Sequence, residues 1–248
     1  MIRPVILIPT YEEALNIIDL LEKLISFRLH CEYEFDLVVI DDNSRDKTAD
    51  IVEELAIPWV QVMRRPNKGG LGGAYRAGFS KVLTNLKYTH VVTMDADGSH
   101  RVADLEAMFT AMTSATSTRA MILGTRWMSG GSVVNWPKFR IFLSRFGTSY
   151  AKFALGINLN DLTGGFRIYS VELLNSLNLQ DMQATGYCFQ IEMAMAADQT
   201  KAETIQVPIT FIERQAGRSK MSAWIAIEAF YFITRGGIKR LGLGKYRR

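Results

Sequence analysis

Residues 89–100 read THVVTMDADGSH, an apolar run that stops at two acids one residue apart. A sheet interior does not accept unpaired carboxylates, because burying charge is costly. Asp95 and Asp97 therefore mark the end of a buried strand and place a charged pair at the rim of a sheet. Upstream, VILI (5–8), FDLVVID (35–41) and VQVM (60–63) read as further short strands, and AMILGTR (120–126) follows as a fifth. Helical apolar spacing fills the gaps at 12–27, 46–55, 72–85 and 101–112. Strands alternating with helices predict an α/β fold: a doubly wound, mostly parallel sheet with helices on both faces. In such sheets ligands bind beyond the carboxyl ends of the strands. Three polar clusters fall at such ends: PTYEE after the first strand, DDNS after the second, and DADGSH after the fourth.

The chain has 248 residues, nearly half of them apolar, which is enough for one large core. Its net charge of +4 gives no reason to expect nucleic acid, although six Lys or Arg and no acid lie between Thr234 and Arg248. Cys31 and Cys188 fit neither a metal spacing nor a disulfide framework and read as free thiols of a cytosolic chain. No stretch approaches the roughly 18 apolar residues that a membrane span needs. The N-terminal apolar run is too short for a signal peptide.

The second half is less regular. A polar loop (128–140) leads into an apolar helical stretch, IFLSRFGTSYAKFALG (141–156), then DLTGGFRIYS (161–170) and YCFQIEMAMAA (187–197). IQVPITFIE (205–213) reads as one edge strand carrying a proline. A basic loop (214–222), an apolar helix and a basic tail end the chain. With no repeat or low-complexity linker, the sequence predicts a single domain with an elaborated C-terminal half.

The glycine-rich NKGGLGGAYRAG (67–78) is not a dinucleotide fingerprint, because it follows the third strand and Tyr75 stands at the last glycine position. No GxxxxGK[ST] loop is present. Two acids flanking one residue at a strand end suit a hard divalent cation completed by substrate phosphates. The competing reading makes Asp95 and Asp97 caps of the helix near Val102. Thr10 and Glu13 have capping-box spacing, and Asp46 suits a helix cap. Pro9 and Tyr11 remain as a wall for a base, and Asp42 as an acceptor for a base N–H or ribose hydroxyl.

IPTYEE, IDDNSRDKT, NKGGLGGAYRAGF and MDADGSH together resemble the family 2 glycosyltransferases of GT-A fold. GTRW, NWPKFR, DLTGGFRIY, GYCFQIEM, VPITFIER and GRSKMS are similar to the dolichol-phosphate and polyprenol-phosphate mannose synthases. The resemblance runs from about residue 4 to 222. It implies inverting transfer of mannose from GDP-mannose to a polyprenyl phosphate, with Mg²⁺ or Mn²⁺. It implies that Pro9, Tyr11, Glu13, Ile40, Asp42, Asp95, Ala96, Asp97, Arg214 and Lys220 meet the nucleotide sugar. It places Asp95, Asp97 and Ser99 at the metal, and Arg126, Arg140 and Ser144 at the acceptor phosphate, with Asp95, Asp97 and Arg126 catalytic. It divides the chain into a nucleotide-sugar half (1–125), an acceptor half (126–221) and a membrane-associating tail (222–248). It implies a peripheral enzyme on the cytoplasmic face of a membrane, and admits a small membrane-protein partner.

A phosphate monoester is already largely dianionic near neutral pH, so it needs no general base. Bringing two anions together is the harder task, and arginine forks suit it. Arg101, where this motif commonly has a small residue or proline, is expected to add positive charge near the diphosphate. His100 is expected to make a structural hydrogen bond. Rival readings are glucose transfer from UDP-glucose and a partner that binds nucleotide sugar or lipid without turnover. The stretches 141–157 and 223–248 read either as interfacial helices or as core-packing ones.

Overall fold

The computed structural model describes residues 2–184, 186, 188–214 and 223–241. In chain order the elements are β1 (Pro4–Thr10), α1 (Ala14–His30), β2 (Asp36–Asp41), α2 (Thr48–Glu54), β3 (Val60–Arg64), α3 (Gly70–Leu83), β4 (His90–Thr93) and α4 (Asp104–Ser114). They continue with β5 (Ala120–Thr125), β6 (Ser132–Val134), α5 (Lys138–Leu155), β7 (Arg167–Ser170), α6 (Val171–Ser176), α7 (Cys188–Gln199), β8 (Glu203–Pro208), β9 (Thr210–Ile212) and α8 (Ala223–Arg240). Lys220, the rest of the 215–222 loop and the tail 242–248 lie outside the described residues.

Seven strands form one sheet in the order β3-β2-β1-β4-β7-β5-β8. All neighbours are parallel except β7, which runs antiparallel to both β4 and β5. The exception follows from where the chain re-enters. After β5 it stays at the carboxyl edge through β6 and α5, so the next strand to join the sheet descends from that edge. Period-two alternation sorts the apolar side chains onto two faces. Val5, Leu7, Val38 and Ile40 pack with α3, α5, α6 and α7 on one side. Ile6, Ile8, Leu37 and Val39 pack with α1 and α4 on the other. The doubly wound, mostly parallel α/β fold expected from the sequence is the one observed.

Two local expectations change. The 205–213 stretch is two strands: β8 closes the sheet edge and ends at Pro208, whose nitrogen has no hydrogen to donate. The chain then crosses to β9, which pairs in parallel with β6 above the carboxyl edge. The Thr10–Glu13 capping box does not form. The Thr10 hydroxyl donates to Asp41 (3.0 Å), while the Ala14 N–H at the start of α1 donates to Asp46 from the neighbouring loop (2.9 Å). A charged carboxylate serves a helix N-terminus better than a neutral hydroxyl.

Helices α5 and α8 cross closely beside the sheet. Tyr150 stacks on Phe230 at 4.7 Å, and the Tyr150 and Thr234 hydroxyls lie 2.7 Å apart. Gly237 allows the approach, because a Cβ there would lie 3.0 Å from the Ala154 carbonyl oxygen. Gly156, at φ +69°, ends α5 in the left-handed conformation that favours glycine. Each helix buries one side and exposes another. Thr148, Ala151, Leu155 and Ile233 are buried, while Phe139, Phe142, Phe146, Phe153, Phe230 and Tyr231 are exposed. Core packing and an apolar outer face are thus both present in the same pair of helices. No helix among the described residues is long and apolar enough to cross a membrane. Cys31 and Cys188 are both free, and burial pushes the Cys188 thiol up to about 11.

Candidate active site

The carboxyl edge carries two neighbouring groups of polar residues. The first lies at the ends of β1 and β2. Asp42 is buried, holds the Arg65 guanidinium and accepts the Gly69 N–H at 3.0 Å. One carboxylate thereby fixes both the loop after β3 and the entry to α3. Asp41 accepts from the Thr10 hydroxyl and from the backbone and side chain of Ser44. Glu13 is buried and accepts the Asn16 amide at 2.8 Å. The Lys68 ammonium sits 3.5 Å from the centre of the Tyr11 ring, a cation–π contact that covers one face of the ring. Glu12, Asn43 and Lys47 hold φ of +57°, +62° and +66°.

The second group surrounds a cavity of about 400 Å³ between the carboxyl edge, α5 and α8. Asp95, Asp97, Ser99, His100, Arg126, Arg140, Ser144 and Arg214 all line it. Its polar end is built from interlocked pairs. The Asp95 carboxylate is open to the cavity, with its side chain 31% exposed. Burial raises the Asp95 carboxyl above its ordinary value; His100 opposes the rise and Asp97 adds to it. Asp97 accepts the Ser99 N–H at 3.0 Å and pairs with Arg214 at 2.8 Å. His100 is buried, stacks on Phe166 and accepts the Asp95 N–H through Nδ1 at 3.0 Å. It therefore makes the structural hydrogen bond expected of it. Neither aspartate caps α4, which begins only at Asp104.

Arg126 is almost fully buried. Its Nε and Nη2 grip Asp161 at 2.6 and 2.7 Å, and Nη2 also donates to the Thr163 hydroxyl at 3.0 Å. Trp127, Trp136 and Phe211 surround its guanidinium at 5.2–5.5 Å. Arginine has five N–H donors. These contacts use Nε and Nη2 and leave Nη1 without a protein partner among the described residues. Arg140 lies 3.9 Å above the Trp136 ring and pairs with Glu213. Its buried Nε has no partner. Both arginines are thus oriented by an acid and an aromatic face, and both retain unmet donors. Ordinary surface charge does not describe them.

Three expected site residues sit elsewhere than a side-chain contact requires. Ile40 is wholly buried against α3, where a Cβ on Gly78 would lie 2.4 Å from its Cδ1. Ala96 is packed in the core with Met94 and Val102. Strand and turn alternation turns both side chains inward, so only their backbone faces the rim. Arg101 is committed to Asp104 through Nε (3.2 Å) and Nη2 (2.5 Å) and does not line the cavity. The cavity also brings in residues to which sequence reasoning gave no role: Glu213, Trp136, Phe211 and Gln190 line it, and Asp161 stands behind Arg126. Asp161 heads DLTGGFR and Gln190 sits within GYCFQIEM, but neither stretch has a periodicity that announces a site.

Among the described residues no three His, Cys, Asp or Glu side chains gather to form a protein-only metal cage. Two hard carboxylates one residue apart, both lining the same cavity, instead fit a cation that a phosphate ligand completes.

Solved structures place this architecture in the GT-A class. Mannosyl-3-phosphoglycerate synthase from Rubrobacter xylanophilus superposes with a TM-score of 0.70 at 15% identity, covering 99% of this chain and 77% of that one. Glucosyl-3-phosphoglycerate synthase from Mycobacterium tuberculosis, solved with Mn²⁺, UDP and phosphoglyceric acid, gives 0.69 at 16% identity over 98% of this chain and 80% of its own. The chain belongs to glycosyl transferase family 2, whose profile matches residues 5–177. It is 38% identical to the polyprenol monophosphomannose synthase of Mycolicibacterium smegmatis, over 96% of this chain and 88% of that protein. It is equally identical to the undecaprenyl-phosphate mannosyltransferase of Micrococcus luteus, over 95% and 94%. The resemblance to the polyprenol-phosphate mannose synthases is thereby borne out.

Proposed function

We propose that this chain transfers mannose from GDP-mannose to a polyprenyl monophosphate, with inversion at the anomeric carbon. The observation that carries the reading is the composition of one cavity. Its lining combines Asp95, Asp97, Arg214, Arg126 and Arg140 with the apolar side chains of Leu143, Phe146, Tyr150, Phe230 and Ile233 of α5 and α8. A lipid phosphate likewise combines an anionic head with an apolar chain.

The acceptor phosphate is held by the free donors of Arg126 and Arg140, with Ser144 beside them. Its oxygen attacks the anomeric carbon while the bond from that carbon to the diphosphate oxygen breaks. Glycosyl phosphate forms and GDP leaves. No proton has to move, because nucleophile and leaving group are both anions. Catalysis then rests on positioning and on charge neutralisation. Arg214, and Lys220 beyond the described residues, neutralise the leaving diphosphate. Mg²⁺ or Mn²⁺ held by Asp95 and Asp97, with Ser99 adjacent, would supply further Lewis-acid stabilisation there. Pro9, Tyr11, Glu13 and Asp42 frame the nucleoside, with the backbone at Ile40 and Ala96 completing the rim.

Residues 1–248 act as one catalytic domain, with donor half 1–125, acceptor half 126–221 and a membrane-associating end from 222. The exposed aromatic face of α5 and α8 lies in the lipid interface on the cytoplasmic side, next to the cavity that takes the acceptor. A small membrane-protein partner would find the same face accessible.

The test is incubation of the purified chain with Mn²⁺, polyprenyl phosphate and labelled GDP-mannose or UDP-glucose. A lipid-linked mannose is expected. A lipid-linked glucose from UDP-glucose would replace the donor, and no lipid product from either would sink the reading.

A further inference from the structure

The side chain of Gln190, on the first turn of α7, is 1% exposed and lines the cavity. Neither its amide nitrogen nor its amide oxygen has a hydrogen-bond partner. Buried polar groups are nearly always paired, so a buried amide unpaired at both ends is an exception that asks for a ligand. Its location says which one. A Cβ placed on Gly165 would lie 3.4 Å from the Gln190 amide nitrogen, 3.6 Å from His100 Cε1 and 3.7 Å from Asp95 Oδ1. The absent side chain of Gly165 thus leaves open a gap bordered by the amide on one side and the Asp95 carboxylate on the other.

The gap is rigidly framed. Arg167 is completely buried and donates to the carbonyls of Gly164 (2.9 Å), Leu162 (2.9 Å) and Gln190 (2.8 Å). The Thr93 hydroxyl donates to the Gly165 carbonyl at 2.7 Å. One guanidinium therefore fixes the glycine loop relative to the residue that carries the amide. Side chains held in place this way recognise a ligand without paying ordering entropy at the moment of binding.

We propose that Gln190 is a specificity-determining residue that reads two neighbouring hydroxyls of the transferred sugar, next to the diphosphate end at Asp95. This rests on the glycosyl-transfer reading given above. An amide both donates and accepts, and each hydroxyl of a hexose does the same. A vicinal pair of hydroxyls can satisfy both ends of the amide, whereas an epimer that redirects one of them leaves one end unmet. A site built to hydrogen-bond a substrate hydroxyl discriminates for that reason.

The experiment uses the full chain with Mn²⁺ and measures calorimetric affinity for GDP, GDP-mannose and its 2-epimer GDP-glucose. Transfer of each sugar to polyprenyl phosphate is measured in parallel. The wild type is expected to favour one epimer. Gln190→Met is expected to keep GDP affinity within about twofold while reducing the preference by about tenfold, the scale of one lost hydrogen bond. Gly165→Ala, which keeps the Gln190 side chain and sets a methyl group against its amide nitrogen in the gap, should reduce the preference likewise and serves if the first variant fails to fold. Retention of the wild-type epimer ratio in a folded variant would overturn the assignment and leave the glycosyl-transfer reading standing. So would a wild type that does not distinguish the epimers. A wild type that binds GDP but neither nucleotide sugar, and forms no lipid product, would remove both.

Discussion

Replacing Asp161 by asparagine keeps the side-chain shape and removes its charge. The carboxylate is fully buried and accepts from Arg126 Nε, Nη2 and N–H and from the Gly164 N–H. The amide can keep one oxygen toward these donors but turns an NH₂ toward the others, leaving the Arg126 charge buried without a counter-ion. Breaking such a pair from one side costs about 3–5 kcal/mol. In a chain of this size each kcal/mol moves the melting temperature by about 2–4 °C, so a fall of about 10 °C is expected. Burial alone would raise the Asp161 carboxyl, but the Arg126 guanidinium and its hydrogen bonds hold it below the ordinary value. The stability it contributes is therefore complete above about pH 4 and is lost as pH falls through the lower folded value. The variant should lack that part of the acid limb. The double variant Arg126→Met/Asp161→Leu removes both charges and should lie nearer the wild type than Asp161→Asn does. Thermal and urea unfolding across pH check both points. A loss below about 1 kcal/mol for Asp161→Asn, or a double variant less stable than it, would refute a buried pair that depends on mutual neutralisation.

Asp97→Ala should lower lipid-mannose formation by at least about 100-fold, a scale typical of losing one electrostatic stabiliser, with the circular dichroism spectrum unchanged. Radiolabelled transfer measures the first and far-ultraviolet dichroism the second. Phe142 and Phe146 stack on each other while 65% and 55% exposed. Changing both to Ser should reduce flotation with anionic liposomes by more than tenfold, because each ring contributes about 1.5–3 kcal/mol on leaving water. Their exposure means that unfolding midpoints should scarcely move. Gly237→Leu should cost about 1–3 kcal/mol by overpacking against Ala154, read as a lowered urea midpoint. An unchanged midpoint would mean that α5 and α8 do not cross as closely as described.

The first half of the chain was legible because its signals are local. Short β-branched runs, helical apolar spacing and acids at strand ends each depend on a few consecutive residues, and the observed strands lie within a residue or two of the expected ones. The second half was not, because its elements are set by where the chain must go. β7 has four residues and no alternation of its own; it is antiparallel because the chain returns from the carboxyl edge. Pro208 marks an edge strand in the sequence, but only the pairing of β9 with β6 divides the strand there. Of the expected site residues, Asp95, Asp97, Ser99, Arg126, Arg140, Ser144 and Arg214 do gather around one cavity. Ile40 and Ala96 turn inward because side-chain alternation at a strand end is fixed by the sheet and not by the motif.

The sequence by itself determined the sheet, its family and the charged rim, since these follow from residue order and strand periodicity. Tertiary structure alone decided the partners. Asp161 lies 35 residues from Arg126, Glu213 lies 73 from Arg140, and Gln190 meets Gly165 and Asp95 only across the cavity. Hydrogen bonds and ion pairs act over about 3 Å of space and are indifferent to separation along the chain. A pattern confined to neighbouring residues therefore shows which groups are charged, and the folded chain shows which of them are already neutralised and which remain open to a substrate.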